Sequence, residues 1–139
     1  MKHIAAPARI SVLLALLMGG TALAQDRIRI SSEWGDVTAT LTNNVAAEAL
    51  SGMLPLTIEM NDHLRQEKTG NLPRALPPAP RQREFSAGTL GLWSFGDVVI
   101  YYRDGHVPPP GIVILGQIDG DVSIFDRPGK ITITVDKAH

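Results

Sequence analysis

Glu59, Asn61 and His63 recur at every second position along an extended stretch, a spacing that turns a carboxylate, an amide and an imidazole toward one side of a strand. A carboxylate and an imidazole on one face suit metal ligation or general-base work, although a third ligand is not visible. Arg65 and Arg74 follow in a proline-bearing segment. A guanidinium beside an apolar cup built from Met60, Phe85 or Trp93 would set a hydrogen-bond donor over a dry pocket, an arrangement that needs no nucleophile. Trp93, Tyr101 and Tyr102 are the large aromatics of the C-terminal half. The two tyrosines are adjacent, so one faces the core and the other the opposite side, where its ring is a candidate ligand contact. The candidate ligand-binding residues are thus Met60, Arg65, Arg74, Trp93, Tyr101 and Tyr102, with Glu59 and His63 as weak metal candidates.

Several chemistries are absent. The chain has no cysteine, which excludes thiol nucleophiles, disulfides, thiolate zinc sites and iron–sulfur clusters. Ser94 lacks the G-x-S-x-G setting of a hydrolase nucleophile, and no phosphate-binding glycine loop occurs. Asp119, Asp121 and Asp126 lack the later carboxylate of a calcium loop, and Asp104-Gly-His106 is accounted for by turn formation. No cofactor is expected.

The elements that must position these residues are mostly strands. Arg27–Ile30 and Val37–Thr42 alternate polar and apolar residues around Ser32–Asp36, which reads as a hairpin. Asn43-Asn44 caps a helix predicted over Val45 to Met53, stopped by Gly52 and Pro55. Leu56–Met60 reads as a third strand. Asn61 to Arg83, with Gly70 and Pro73, Pro77, Pro78 and Pro80, has no sustained period and reads as a long surface excursion. Thr89–Trp93, Val98–Tyr102, Ile112–Leu115, Val122–Phe125 and Ile131–Val135 complete the set. Seven or eight short strands with one helix indicate a mainly β, mostly antiparallel barrel or strongly curved sheet.

The N-terminal residues carry an address. Lys2 and Arg9 precede the apolar run Ile10–Met18, and Ala22-Leu23-Ala24 has the small-x-small form that signal peptidase cuts. Residues 1–24 read as a secretory signal peptide cleaved after Ala24, leaving 25–139 as one domain that is periplasmic or secreted. The apolar run is about half the roughly 20 residues that a spanning helix requires, so no membrane anchor is expected after cleavage. Of the 139 residues, 115 then remain, with eleven basic against fourteen acidic side chains. A mildly acidic domain without a basic cluster has no electrostatic footprint for nucleic acid.

The order of blocks carries a resemblance. The helix leads into Leu54-Pro-Leu-Thr-Ile-Glu-Met60, then come Glu67-Lys-Thr-Gly-Asn-Leu-Pro73, Trp93-Ser-Phe-Gly-Asp-Val-Val-Ile-Tyr-Tyr102 and Ile114-Leu-Gly-Gln-Ile118. From about Arg27 to Val135 the chain resembles the small bacterial cyclophilin-like domain family. The resemblance implies a closed cyclophilin-like β-barrel with one or two short helices over its ends. Catalytic cyclophilins carry a Phe-His-Arg motif and a Phe-Met-Gln-Gly-Gly-type strand, and neither string occurs here. The reading that follows is an exported cyclophilin-like module that binds a small molecule or peptide on the surface where the Asn61–Arg83 excursion meets the barrel near Trp93 and Tyr101 or Tyr102. The alternative is a divergent peptidyl-prolyl isomerase of the cell envelope. A metal-assisted hydrolase using Glu59 and His63 stands behind both.

Overall fold

The computed structural model describes residues 26–139, and the signal-peptide reading therefore falls outside the described residues. Eleven strands form: β1 (Arg27–Ser32), β2 (Gly35–Leu41), β3 (Leu56–His63), β4 (Glu67–Asn71), β5 (Arg81–Gln82), β6 (Glu84–Phe85), β7 (Thr89–Leu92), β8 (Asp97–Tyr101), β9 (Gly105–His106), β10 (Ile112–Ile118) and β11 (Ile131–Lys137). One helix, α1 (Val45–Ser51), and a 3-10 turn (Val122–Phe125) complete the fold. Eight strands run in the order β2-β1-β11-β3-β4-β8-β7-β10, and β10 pairs back onto β2, so the sheet closes into an antiparallel barrel.

Alternation fills the interior. Ile28 and Ile30, Val37, Ala39 and Leu41, Ile58 and Met60, Leu90 and Leu92, Val98 and Ile100, and Ile131, Ile133 and Val135 are all buried in one core. Asn44 starts α1 by accepting a hydrogen bond from the Ala47 N–H (2.9 Å), and its own amide donates to Ile114 O (2.9 Å). The helix lays Ala46, Ala47 and Leu50 over one end of the barrel. The segment between β10 and β11 closes the other end, with Phe125 in the core. Against β7, β10 shifts register between Ile114 and Gly116, and Gly116 also faces Leu41 of β2 at the closing seam. A Cβ at Gly116 would lie 2.6 Å from Thr40 O, so only glycine allows β2 to approach there.

Three expectations change. Asn61–Arg83 is not one surface excursion, because β3 runs on to His63, β4 completes the barrel wall, and Leu72 and Leu76 are buried. The strand pattern is hidden because the positions that face inward carry Asp62 and Lys68, which satisfy each other, instead of apolar residues. The turn between the two strands uses Leu64 and Arg65 with positive φ (54° and 49°), where the expected turn residues would be Asn or Gly. Val122–Phe125 is a 3-10 turn and not a strand, since the Asp121 carboxylate accepts from Ser123 N and Ser123 Oγ (3.0 and 2.6 Å) and winds the chain at that point. The outward-facing tyrosine is not an exposed ring, because the chain after β4 folds back over the barrel wall. Phe85, Val99, Tyr101 and Ile112 form a second, smaller core outside the barrel.

Candidate functional site

Three pairs of neighbours define the site. Hairpin β3–β4 sets Asp62 beside Lys68 and His63 beside Glu67, and β8 sets Tyr101 beside Glu67. Side chains alternate across a strand, so these five groups and Tyr102, which follows Tyr101, sort by position into two clusters. Asp62, Lys68 and Tyr102 point into the mouth of the barrel. His63, Glu67 and Tyr101 lie on its outer wall.

The inner cluster is saturated. Lys68 is wholly buried, and its ammonium donates to Asp62 Oδ1 (2.8 Å), to Gly129 O (3.0 Å) and to Arg127 O. Asp62 Oδ1 also accepts from Tyr102 OH (2.6 Å) and Arg65 Nη1 (3.1 Å). Burial by itself would raise the Asp62 carboxyl, but the bonds from Lys68 and Tyr102 and the Lys68 charge hold it below the usual carboxylate range. Burial and then the Asp62 carboxylate push the Tyr102 phenol up. Arg65 reaches on to Asp126 (2.8 Å), which Arg103 also holds (3.0 Å). Trp34 covers the ammonium at 5.1 Å and carries the Arg127 guanidinium at 4.6 Å. The bonds from Lys68 to Arg127 O and Gly129 O, and from Arg65 and Arg103 to Asp126, fasten the β10–β11 segment over the barrel end.

The outer cluster is built differently. Glu67 is only 1 % exposed. It accepts from His63 Nδ1 (3.2 Å) and from Gln66 Nε2 (3.2 and 3.3 Å), and burial pushes its carboxyl up against the opposing pull of His63. The Tyr101 phenol, stacked on Phe85 with ring centroids 3.6 Å apart, accepts from Trp93 Nε1 (2.9 Å). Burial, followed by the nearby Glu67 charge, raises that phenol to about 12. Trp93 meets the edge of the His63 ring at 5.0 Å.

The sequence candidates therefore divide. Trp93, Tyr101 and His63 come together, joined by Glu67 and Gln66. Arg65 and Tyr102 come together on the other side of the wall. Met60 is a fully buried core residue, Arg74 is exposed, and Glu59 faces solvent beside Lys130 (3.8 Å). Glu59 and His63 share the outer face of β3, but His63 is turned to Glu67 and not to Glu59. Among the described residues no group of three or more metal-ligating side chains forms, and no helix is long and apolar enough to cross a membrane. Sequence reasoning missed Asp62, Glu67 and Lys68, and considered Asp126 only against a calcium loop. The adjacent Glu67-Lys68 pair, which places opposite charges on opposite faces of a strand, was the available signal.

Space for a ligand lies outside the barrel. The interior void among Ile28, Ile58, Ile100 and Ile133 measures only about 10 Å³. A groove of about 460 Å³ runs along the outer wall, with Phe85, Thr89 and Ile114 beneath it and Gln82, Glu84 and Gln117 along its sides. This groove and the His63–Glu67 cluster lie to either side of the Phe85–Tyr101 stack.

Comparison with known proteins agrees with this architecture. A hypothetical protein from Archaeoglobus fulgidus, known from a solution structure, superimposes with a TM-score of 0.66 at 14 % identity, over 86 % of this chain and 99 % of that one. At that identity the likeness concerns the fold. None of the curated proteins matches the sequence. The cyclophilin-like family matches over residues 30–136, from the second half of β1 to the end of the barrel. The chain belongs to the cyclophilin-like family.

Proposed function

We propose that this protein is an exported binding module, residing in the periplasm or secreted, that takes a small molecule or short peptide on the outer wall of its barrel. The observation that carries the binding reading is the lining of the groove, since the larger outer depression of about 560 Å³ is walled mostly by the polar groups of Glu33, Glu59, Lys130 and Thr132 and the barrel interior holds almost no space. A void of about 10 Å³ is at the lower limit for one water. A groove of about 460 Å³ falls in the range of roughly 300–1,000 Å³ that ligand sites occupy. Its floor is apolar and its sides carry amide and carboxylate groups, the division that binds an apolar body and orients its polar ends. Export rests on the basic start, the apolar run and the Ala22-Leu23-Ala24 cleavage signal.

Isomerase chemistry has less support. Arg65 is committed to Asp62, Tyr102 and Asp126, and Arg74 is exposed, so neither guanidinium stands over an apolar cup. The binding test is amide chemical-shift mapping of the domain against a panel of short peptides and small-molecule fragments. Shifts gathered on Phe85, Thr89, Ile114 and Gln117 and lost in Ile114→Lys are expected. Hits that scatter over the surface, or that persist in Ile114→Lys, would sink the groove assignment. For export, the mature protein recovered from outside the cytoplasm should begin at Gln25, and retention of an intact Met1 chain in the cytoplasm would refute it.

A further inference from the structure

The groove leaves the outer polar cluster without a role. Glu67 is a buried carboxylate whose hydrogen-bond donors are one imidazole and one neutral amide. The cations next to it in the chain are engaged elsewhere: Lys68 is turned inward to Asp62, and Arg65 donates to Asp62, Tyr102 and Asp126. Among the described residues only His63 forms an ion pair with Glu67. A buried carboxylate so isolated is costly unless a proton or an imidazolium compensates it. The barrel does not require one, since Thr69 stands two residues on along the outer face of the same strand.

The imidazole is set with care. Its Nδ1 is held by Glu67, its ring edge rests on Trp93, and its side chain is still 46 % exposed. The turn that positions it places Leu64 and Arg65 at positive φ, a conformation that L-residues adopt only under strain. That turn also brings Gln66 N to His63 O (3.0 Å), so both donors to Glu67 are fixed by the same two strained residues. In the neutral ring, donation of Nδ1–H to Glu67 leaves the lone pair on Nε2. Nε2 faces outward, with no partner among the described residues.

We propose that His63 and Glu67 form a proton-accepting dyad for a small ligand that carries an acidic O–H or N–H beside a flat apolar group. The flat group rests on Trp93, and the ligand's proton passes to His63 Nε2. The ligand keeps the electron pair and leaves as, or remains bound as, its anion. The new imidazolium lies against the Glu67 carboxylate, which acts as a positioning residue and never contacts the ligand. This site is distinct from the groove and does not depend on it.

Two measurements test the proposal on the domain beginning at Gln25. Long-range proton–nitrogen NMR of the imidazoles should find neutral His63 protonated at Nδ1, with His106 and His139 as internal references. A His63 protonated at Nε2 would overturn the dyad. The ligand class is tested with 4-nitrophenol, whose anion is coloured. Saturating protein should shift the dye's ionisation midpoint about one pH unit downward, a tenfold gain in anion at mildly acidic pH. His63→Phe, which keeps a ring against Trp93, should abolish the gain, Glu67→Gln should remove most of it, and His106→Phe should leave it intact. No anion beyond the free-dye control, or an equal gain in His63→Phe, would overturn the assignment.

Discussion

Replacing Lys68 by Met probes the inner cluster most directly. The ammonium is fully buried and serves Asp62, Arg127 O and Gly129 O together. Methionine has similar length and no donor, so the substitution spares volume and removes only the charge and its bonds. Asp62 keeps Tyr102 and Arg65, which limits its loss. The two carbonyls have no such reserve, and a buried acceptor left unpaired costs about 1–3 kcal/mol. The relief of no longer burying an ammonium offsets part of this, whereas breaking a buried ion pair from one side costs about 3–5 kcal/mol in all. A net loss of about 3 kcal/mol is therefore expected. With a urea dependence of roughly 1.5 kcal/mol per molar, the unfolding midpoint should fall by about 2 M, followed by tryptophan fluorescence because Trp34 covers the site. Trypsin should also cut after Lys130 sooner, as the segment loses its fastening. A second variant guards the reasoning: Lys68→Met with Asp62→Leu removes both charges and should recover part of the loss, since an apolar replacement of a whole buried pair is often neutral. A midpoint within about 0.3 M of the parent for Lys68→Met would show that the clamp contributes nothing.

Acid should weaken the same site. The folded Asp62 carboxyl lies below its ordinary 3.8, so its contribution is present above that value and lost as pH falls through the depressed one; Asp62→Asn should flatten the acid limb of stability against pH. Glu67 has the opposite sign. Its folded carboxyl is raised, so its contribution is greatest in acid and is lost as pH rises through the raised value, and Glu67→Gln should gain about 1 kcal/mol near pH 8 by chemical denaturation. An added Cβ at Gly105 would lie 2.6 Å from Phe85 Cζ; Gly105→Ala should therefore push Phe85 off Tyr101, cost about 1–3 kcal/mol and reduce the near-ultraviolet circular dichroism. Cis–trans exchange of a short X-Pro peptide should be no faster with micromolar protein than without it, and acceleration lost in Arg65→Ala would favour the isomerase reading instead.

The barrel was legible because most of its inward positions are apolar and alternate, as in Val37, Ala39 and Leu41 or Ile131, Ile133 and Val135. The helix was legible from Asn44 and the spacing of Ala46 and Leu50. What escaped was the hairpin β3–β4, where periodicity is carried by charge: Asp62 and Lys68 occupy core positions that an apolar pattern does not register. The Leu64-Arg65 turn escaped for a related reason, since its positive φ values are imposed by the strands that it joins and by the anchoring of Arg65, not by turn-forming residues. The site was half legible. His63, Trp93 and Tyr101 stood out as residue types able to do chemistry, but their meeting depends on the fold, for Trp93 and His63 lie thirty positions apart. Glu67 drew no notice because a Glu-Lys dipeptide ordinarily reads as a solvated surface.

The pairing of the first strand with the last has a consequence for how the protein is made. β1 has β11 as its neighbour on one edge, from Ile28 opposite Lys137 to Ser31 opposite Thr134, and Ala138 N donates to Arg27 O (2.9 Å). A chain emerging N-terminus first holds β1 and β2 as a bare hairpin until β10 reaches β2 and β11 then reaches β1, and an isolated hairpin is marginal in water. Closure thus waits for β10 and β11, and the nascent barrel stays open and threadable until both have arrived. Because the two ends finish side by side, a short linker between them with new termini in the β7–β8 turn should give a permuted protein that folds without a leading strand to wait for.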